Sequence, residues 1–329
     1  METGRIGGRY KIRETNGGKV KKFLSLTVIL LITPVSSLAY GASLELLREL
    51  PGAVSRGMGN VSAASSGDVF SISSNPGILS TLDHRLAAVS HTKLAGDIQY
   101  DYISAALPGL FRGFSLGLGS GLAGYGRVLR TTLSDKTGAG GDYFYGSSFF
   151  ISSTAATRFR VVLPFLPSGT FYPGISLKYA REKLDIYSAG SFTIDAGVLY
   201  CFSVGKYDLS AGLSGANLAG GLKYFTELEP FPSVLSVGGK IGIPEYSLSF
   251  EGDIRLLVGT GARLMLGAEW TFRRIFKLRG GFDTSKLEGD KLTFGFGIEG
   301  KNMEASYAYI PFSRGLKQDN LFVFSVTIK

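Results

Sequence analysis

The sequence predicts an all-β protein, a transmembrane antiparallel β-barrel of about 14 strands with an N-terminal plug inside the barrel. Apolar and polar residues alternate with period two from about residue 86 onward, which is the strand period. Only 19% of the 329 residues are charged, against about 25% in ordinary soluble domains, while Gly (46), Phe (23) and Tyr (16) are abundant. The chain also begins with an export-like segment. A soluble β-sandwich or soluble barrel, which alternates in the same way, is the alternative.

The export-like segment covers residues 1–39 and holds seven Lys or Arg against two Glu, much of the formal net charge of +9. Lys19, Lys21 and Lys22 precede the uncharged run FLSLTVILLITPV, and the small residues SSLA follow. This order is typical of a signal peptide that is cleaved after Ala39. The apolar run is shorter than the roughly 20 residues of a spanning helix, although a single membrane anchor is the alternative. The remaining charges form no basic stripe, which disfavours nucleic-acid binding.

The strand pattern is clearest in SFTIDAGVLYCF (191–202), where Phe192 and Ile194 alternate with Thr193 and Asp195. Many such segments approach the roughly 9 to 11 residues that cross a bilayer as a tilted strand. Bacterial barrels have an even number of strands, which favours 14 over 15. The first and fifth candidates are the least well defined. The candidate strands are 86–92, 97–107, 113–122, 143–153, 156–163, 173–182, 191–202, 207–215, 233–243, 246–256, 262–273, 275–282, 291–299, 303–310 and 320–328.

One face of these strands carries Gly and full charges, and the other carries bulky apolar side chains such as Phe250 and Trp270. The sheet must close, because an open edge leaves backbone groups unpaired in hydrocarbon. The polar face then lines the lumen. Its charges predict ion-paired ladders that stiffen the wall or hold a plug, and contact with a ligand is the alternative. The predicted lumen-facing charges are Glu251, Asp253, Arg255, Glu269, Lys277, Arg279 and Glu299, with Glu304 beside them.

Residues 40–84 lack strand periodicity and are predicted to form the plug, ahead of a barrel over 85–329. SLELLREL (43–50) predicts a short helix before Pro51. Small residues follow, and they allow close backbone packing in a confined space. Asn75, Pro76 and Gly77 predict a turn, since Pro76 cannot donate to a sheet ladder. A surface linker ahead of the first strand is the alternative.

The sequence contains no motif of a catalytic, metal or cofactor site, so we expect a protein that is not an enzyme and binds no cofactor or metal. The two histidines, His84 and His91, have no obvious partners, and the single Cys201 cannot form an internal disulfide. GLGSG (117–121) lies in a strand pattern rather than before a helix, which disfavours a phosphate-binding loop. TLSDKTGAGGDYFYG (132–146) predicts a flexible external loop that is available to a ligand or partner.

The stretch SRGMGNVSAASSGDVFSISSNPGIL (55–79) resembles the N-terminal motif of FadL-like outer-membrane barrels, especially the PorV/PorQ branch. YPGISLKYAREKLDIYSAGSFTIDAGVLY (172–200) is similar to the Gly-x-Ser-x-Lys strand and the following Asp-x-Gly of that branch. SGANLAGGLKYFTELEPFPSVLSVGGKI (214–241) is similar to its Asn-Leu-x-Gly, Pro and Gly pattern. The resemblance covers most of the chain after residue 39 and implies a 14-stranded barrel plugged by its N-terminus.

A cleaved signal and a membrane barrel together predict the outer membrane of a bacterium. The resemblance implies either transport of hydrophobic small molecules, entering through a lateral gap beside the plug, or a role in protein secretion and surface attachment. The alternatives are a structural envelope barrel and a general porin. The expected partners are membrane lipids, hydrophobic small molecules or secreted proteins, and the barrel-assembly machinery, without nucleic acid.

Overall fold

In the computed structural model, fourteen long antiparallel strands form a closed barrel within the described part of the chain. The structure describes residues 44–94, 98–111, 113–162, 164, 167–284, 291–311 and 320–329. The strands are β1 Leu86–Lys93, β2 Gln99–Phe111, β3 Phe114–Leu129, β4 Tyr143–Ala156, β5 Gly169–Leu184, β6 Tyr187–Val204, β7 Tyr207–Ala216, β8 Val234–Ile243, β9 Leu248–Leu257, β10 Gly261–Phe272, β11 Phe276–Asp283, β12 Leu292–Glu299, β13 Met303–Ile310 and β14 Leu321–Ile328. Neighbours in the chain pair in order, and β14 pairs with β1 from Ala87↔Ile328 to Lys93↔Phe322. The prediction of an antiparallel barrel with 14 strands is confirmed. The predicted signal segment 1–39 lies outside the described residues.

The fifth candidate strand is the one that does not become a separate strand. Its first residue, Ala156, ends β4, and Phe159–Val161 pair with β5 just beyond that end. They therefore continue β4 after a short break and pair with the same neighbouring strand, β5. The first candidate, in contrast, is a complete strand that closes the barrel between β14 and β2.

Side chains alternate between the outer face and the lumen along each strand. Phe192, Phe250 and Trp270 point outward and are 60%, 47% and 43% exposed, whereas Thr193 and Asp195 are buried. Closure gives every long strand of the described part a neighbour on both sides, which is the arrangement that a sheet in contact with lipid needs. The apolar outer surface and the buried inner face are those of a transmembrane barrel.

Residues 44–82, the plug, lie inside this barrel. The plug contains a 3₁₀ helix over Glu45–Arg48, the α-helix α1 over Ala53–Gly57, and 3₁₀ helices over Phe70–Ser73 and Pro76–Thr81. The predicted helix before Pro51 is thus a single 3₁₀ turn. Within the described residues, no helix combines the length and apolarity that crossing a bilayer requires.

The two ends of the barrel differ in the length of their connections. The end that carries 205–206, 244–247 and 273–275 has mostly short turns, with 157–168 as its one longer connection, and we call it the short-turn end. The opposite end carries the longer connections 130–142 and 217–233 and is called the long-loop end. Outer-membrane barrels place short turns in the periplasm and longer loops outside.

The plug runs between these two ends. Arg48 Nη2 donates to the carbonyl of Val258, which follows β9 at the long-loop end. From there the chain passes through the lumen to Leu86, where β1 begins at the short-turn end. The plug therefore spans the length of the lumen.

Candidate functional site

One side of the lumen is apolar. Phe70 and Leu79 of the plug belong to a buried cluster with the inward-facing Tyr100, Tyr102 and Phe150 of β2 and β4. The rings of Phe70 and Tyr102 have centroids 6.2 Å apart, and those of Tyr102 and Phe150 are 6.1 Å apart. Such aromatic pairs contribute about 0.5–1.5 kcal/mol each beyond area burial. The plug thus covers an aromatic surface of the barrel wall.

The predicted turn at Asn75, Pro76 and Gly77 begins the last 3₁₀ helix of the plug. The Asn75 side chain accepts a hydrogen bond from the Gly77 N–H at 3.1 Å, and Pro76 occupies the first helical position. Pro is favoured there because its missing N–H would be unpaired in any case. Asn75 Nδ2 also donates to the carbonyl of Ala63 at 2.7 Å. The turn therefore joins two parts of the plug.

Two wall glycines make room for this turn. A methyl group on Gly174 would overlap the Pro76 carbonyl group, and one on Gly197 would overlap the Asn75 side chain. Gly174 belongs to the Gly-x-Ser-x-Lys stretch and Gly197 to the Asp-x-Gly stretch. The structure therefore brings together three sequence stretches that are separate in the chain.

Beside this contact lies a buried cluster of Lys178, Asp195 and Asn217. Lys178 Nζ is 2.7 Å from Asp195 Oδ2 and donates to Asn217 Oδ1 at 3.0 Å, and the Asn217 N–H donates to Asp195 Oδ1 at 2.8 Å. Asn217 Nδ2 also donates to the carbonyl of Leu47 in the plug at 3.2 Å. Burying the charges is tolerable because each has a close partner.

Sequence reasoning did not assign a role to this cluster. Lys178 and Asp195 belong to the stretch 172–200 and Asn217 to 214–241, and the signal that marks them is a charged or amide residue at an inward position among small ones. The cluster ties strands β5 and β6 to the connection 217–233 and to the start of the plug. It therefore links the plug to the long-loop end of the barrel.

A second backbone contact holds the Gly57-Met58-Gly59 stretch against β11 and β12. Thr293 Oγ1 accepts from the Gly59 N–H at 2.9 Å and donates to the Gly57 carbonyl at 3.1 Å. Gly59 has φ +72°, and a methyl group on Gly281 would overlap its backbone. A side chain at Gly59 would be strained by both the backbone conformation and the close wall.

Among the predicted lumen charges, Asp253 and Arg255 on β9 bind the plug. Asp253 Oδ2 accepts from the N–H groups of Ser62 and Ala63 at 2.6 and 2.8 Å. Arg255 Nη2 donates to the Asn60 carbonyl at 3.1 Å and to the Ser62 hydroxyl at 2.9 Å. Asp253 and Arg255 are 1% and 6% exposed, so these contacts are shielded from water.

Glu251, on the same strand, is shared between the plug and the wall. It accepts a hydrogen bond from the Ser65 hydroxyl of the plug and pairs with Lys240 of β8 at 2.9 Å. Strand alternation places Glu251, Asp253 and Arg255 in one inward column. This column is the main polar attachment of the plug.

Glu269, Lys277, Arg279 and Glu299 form a second group that pairs along the wall. Arg279 Nε is 2.6 Å from Glu269, and Arg279 Nη2 is 2.9 Å from Glu304. Lys277 Nζ is 2.7 Å from Glu304 and 2.9 Å from Glu299. The paired charges stiffen strands β10 to β13, because each residue is held by a neighbour on another strand.

This second group borders a cavity of about 220 Å³ near the short-turn end. Lys240, Lys329 and the plug residue Asp68 also line the cavity. Charges of both signs make it suited to water and polar solutes rather than to an apolar molecule. The apolar and polar sides of the lumen are therefore chemically distinct.

The predicted external loop spans 130–142, whereas 143–146 belongs to β4. Within the loop, Asp135 accepts hydrogen bonds from the N–H groups of Thr137, Ala139 and Gly140. The bond from Gly140 is the main cause that lowers the pKa of Asp135 below its ordinary value. The carboxylate thus organises the tip of this loop.

The two histidines and the cysteine form no shared site. His91 Nδ1 lies 2.7 Å from Asp101 on the exposed outer face, His84 is exposed between the plug and β1, and Cys201 is a free thiol. No group of three or more His, Cys, Asp or Glu that could hold a metal occurs within the described ranges.

Comparison with solved structures identifies the fold. The toluene transporter TbuX from Ralstonia pickettii matches with TM-score 0.58 and 14% identity, over 84% of this chain and 98% of that chain. The toluene transporter TodX from Pseudomonas putida matches with TM-score 0.53 and 13% identity, over 85% and 96%. A FadL homologue from Pseudomonas aeruginosa matches with TM-score 0.51 and 9% identity, over 84% and 98%.

The chain matches no model of a known protein family, and no curated protein matches its sequence. The fold and the lumen define the class: a transmembrane β-barrel with 14 strands that is filled by its own N-terminal segment. At 9–14% identity to the three solved barrels, the similarity extends to the fold.

Proposed function

We propose that this protein lies in the outer membrane of a bacterium and carries hydrophobic small molecules across it. The observation that carries the proposal is an aromatic surface inside the barrel wall, covered by a plug that meets it with apolar side chains. Two of the barrels with the same fold are toluene transporters. An open porin, in contrast, has a water-filled lumen.

In this proposal an apolar molecule replaces the plug on the apolar side of the lumen. Phe70 and Leu79 leave the surface formed by Tyr100, Tyr102 and Phe150, and the ligand buries that surface in their place. The buried apolar area changes little in this exchange, because the contact between the ligand and the wall replaces the contact between the plug and the wall. The polar attachment at Asp253 and Arg255 on the opposite wall keeps the plug tethered to the barrel.

A lateral passage fits best between β6 and β7. The β6–β7 ladder begins only at Ala196↔Gly215, although β6 starts at Tyr187. Over the unpaired part, the Leu218 N–H donates to the Ile194 carbonyl at 3.0 Å, so a loop rather than a strand completes the wall. A loop can move aside without breaking a ladder.

Uptake assays test the transport proposal. Cells that lack their own transporters of this kind should take up radiolabelled oleate or toluene faster when they produce this protein. Deleting residues 44–82 should in addition raise ion conductance in planar bilayers. No increase in uptake of either compound would contradict transport, and unchanged conductance would contradict the plug.

A disulfide tests the lateral passage. In a Cys201→Ser background, Ile194→Cys with Leu218→Cys places two cysteines at a backbone hydrogen-bonded pair, a spacing that a disulfide can bridge. Oxidation should block uptake and reduction should restore it. The single variant Ile194→Cys is the matched control, and equal uptake by the oxidised and reduced double variant argues against this passage.

A role in protein secretion and surface attachment is the second proposal. It is supported by the PorV/PorQ-like motifs, whose residues Gly174, Lys178, Asp195 and Asn217 gather at one contact with the plug. This role predicts co-purification with other cell-envelope proteins and no uptake defect when the gene is deleted. An uptake defect with no co-purifying protein favours transport instead.

A further inference from the structure

The outer face of β4, β5 and β6 carries a row of aromatic rings towards the long-loop end. The centroids of Phe149 and Tyr179 are 6.1 Å apart, and those of Tyr179 and Phe192 are 5.1 Å apart. Rows of aromatic residues in barrels mark the boundary between hydrocarbon and headgroups. This row therefore lies at the membrane interface on the side of the longer connections.

Two cations stand directly beyond that row. Arg181 is opposite Phe149 across the β4–β5 pair, and Lys183 follows two residues later on the same exposed face, about 7 Å along the strand. Arg181 Nη2 donates to the Ser188 hydroxyl at 3.2 Å. Within the described ranges, neither cation pairs with a carboxylate.

The neighbours of these cations leave space above the strands. Lys183 lies between Ser147 on β4 and Ser188 on β6, and Arg181 faces Gly190 on β6. Two hydroxyl groups and a glycine thus form the floor between two positive side chains. On the β6 side the floor supplies a further hydroxyl group and no bulky side chain, while Phe149 flanks Arg181 on the β4 side.

A third exposed cation, Arg127, lies on β3 at the same end of the barrel. Arg127 on β3 is opposite the exposed Tyr145, and its guanidinium lies 5.1 Å from the centroid of the Tyr143 ring. The aromatic contact orients Arg127 without neutralising it. Arg127, Arg181 and Lys183 together form what we call the basic patch.

We propose that the basic patch binds the phosphate of an anionic lipid headgroup in the leaflet at the long-loop end. Guanidinium groups bind phosphate oxygens in a bidentate manner, and Lys adds a point charge. Lipid is the source because the patch adjoins Tyr179 and Phe192, where acyl chains would lie against the wall. A soluble phosphate would gain nothing from that apolar surface.

Retention of lipid A by the purified full-length barrel tests the proposal. Native mass spectrometry in detergent should show at least a tenfold loss of affinity for lipid A in Arg181→Gln with Lys183→Gln. Lys136→Gln removes a positive charge from an exposed position of the 130–142 loop at the same end and should bind as the wild type does. Binding should also weaken with added salt, because phosphate contacts are electrostatic.

Where the Gln variants fold, three outcomes overturn the proposal. One is equal affinity in the double variant and the wild type, and the second is an equal loss in the Lys136→Gln control. The third is inorganic phosphate competing as strongly as lipid A, which assigns the patch to a soluble anion. If the Gln variants fail to fold, Arg181→Lys with Lys183→Arg keeps both charges and should retain binding, and a tenfold loss there contradicts a charge-based site.

Discussion

Asp253 provides the sharpest test of how the plug is held. Asp253→Ala removes two hydrogen bonds to a charged acceptor, from the Ser62 and Ala63 N–H groups. Each such bond contributes about 1.5–3 kcal/mol, so the plugged state loses about 3–6 kcal/mol. Since 1.4 kcal/mol corresponds to a factor of about ten, the plugged-to-open equilibrium should shift by at least about 100-fold towards the open state.

Single-channel recording in planar bilayers measures this shift as the fraction of time that the barrel conducts ions. Asp253→Asn should give an intermediate result, because its amide oxygen can still accept both bonds but carries no full charge. Asp208→Ala is the matched control, since it removes an exposed carboxylate at the short-turn end that bonds to Ser203 rather than to the plug. If Asp253→Ala conducts no more than Asp208→Ala, the proposed attachment of the plug is wrong.

Three further predictions follow from single positions. Asn217→Ala loses three side-chain hydrogen bonds, which together contribute about 3 kcal/mol to stability. The variant should therefore unfold at a lower temperature, whereas the control Asn302→Ala, in a short turn, should unfold at the wild-type temperature. Trp270, the single Trp of the chain, points outward, so brominated lipids should quench its fluorescence; unquenched emission contradicts a lipid-facing position. Gly197→Val should displace Asn75 and raise ion conductance, and a conductance equal to that of the wild type would mean that this contact does not hold the plug.

The barrel could be predicted from the sequence because its signal is local. Alternation with period two assigns each residue to one face, and Phe192, Phe250 and Trp270 lie on the outer face as that pattern requires. The extra candidate strand at 156–163 shows the limit of the pattern. Periodicity marks extended backbone, but it cannot tell a new strand from the continuation of an existing one along the same neighbour.

The partners of the inward residues are decided by contacts between distant parts of the chain. Asp253 binds residues about 190 positions away, and Asn60 Nδ2 donates to Asp283 across 223 positions. The strand pattern predicts the same inward orientation for Asp253 and Lys277. In the structure, however, Asp253 binds the plug, whereas Lys277 pairs with charges on the barrel wall.

The sequence by itself thus determined which side chains face lipid and which face the lumen, because strand geometry repeats every two residues. Only the tertiary structure decided that the lumen has an apolar and a charged side, with the plug held between them. That division depends on the order in which strands close around the plug, so distant residues such as Tyr102 and Phe150 become neighbours only in the folded barrel.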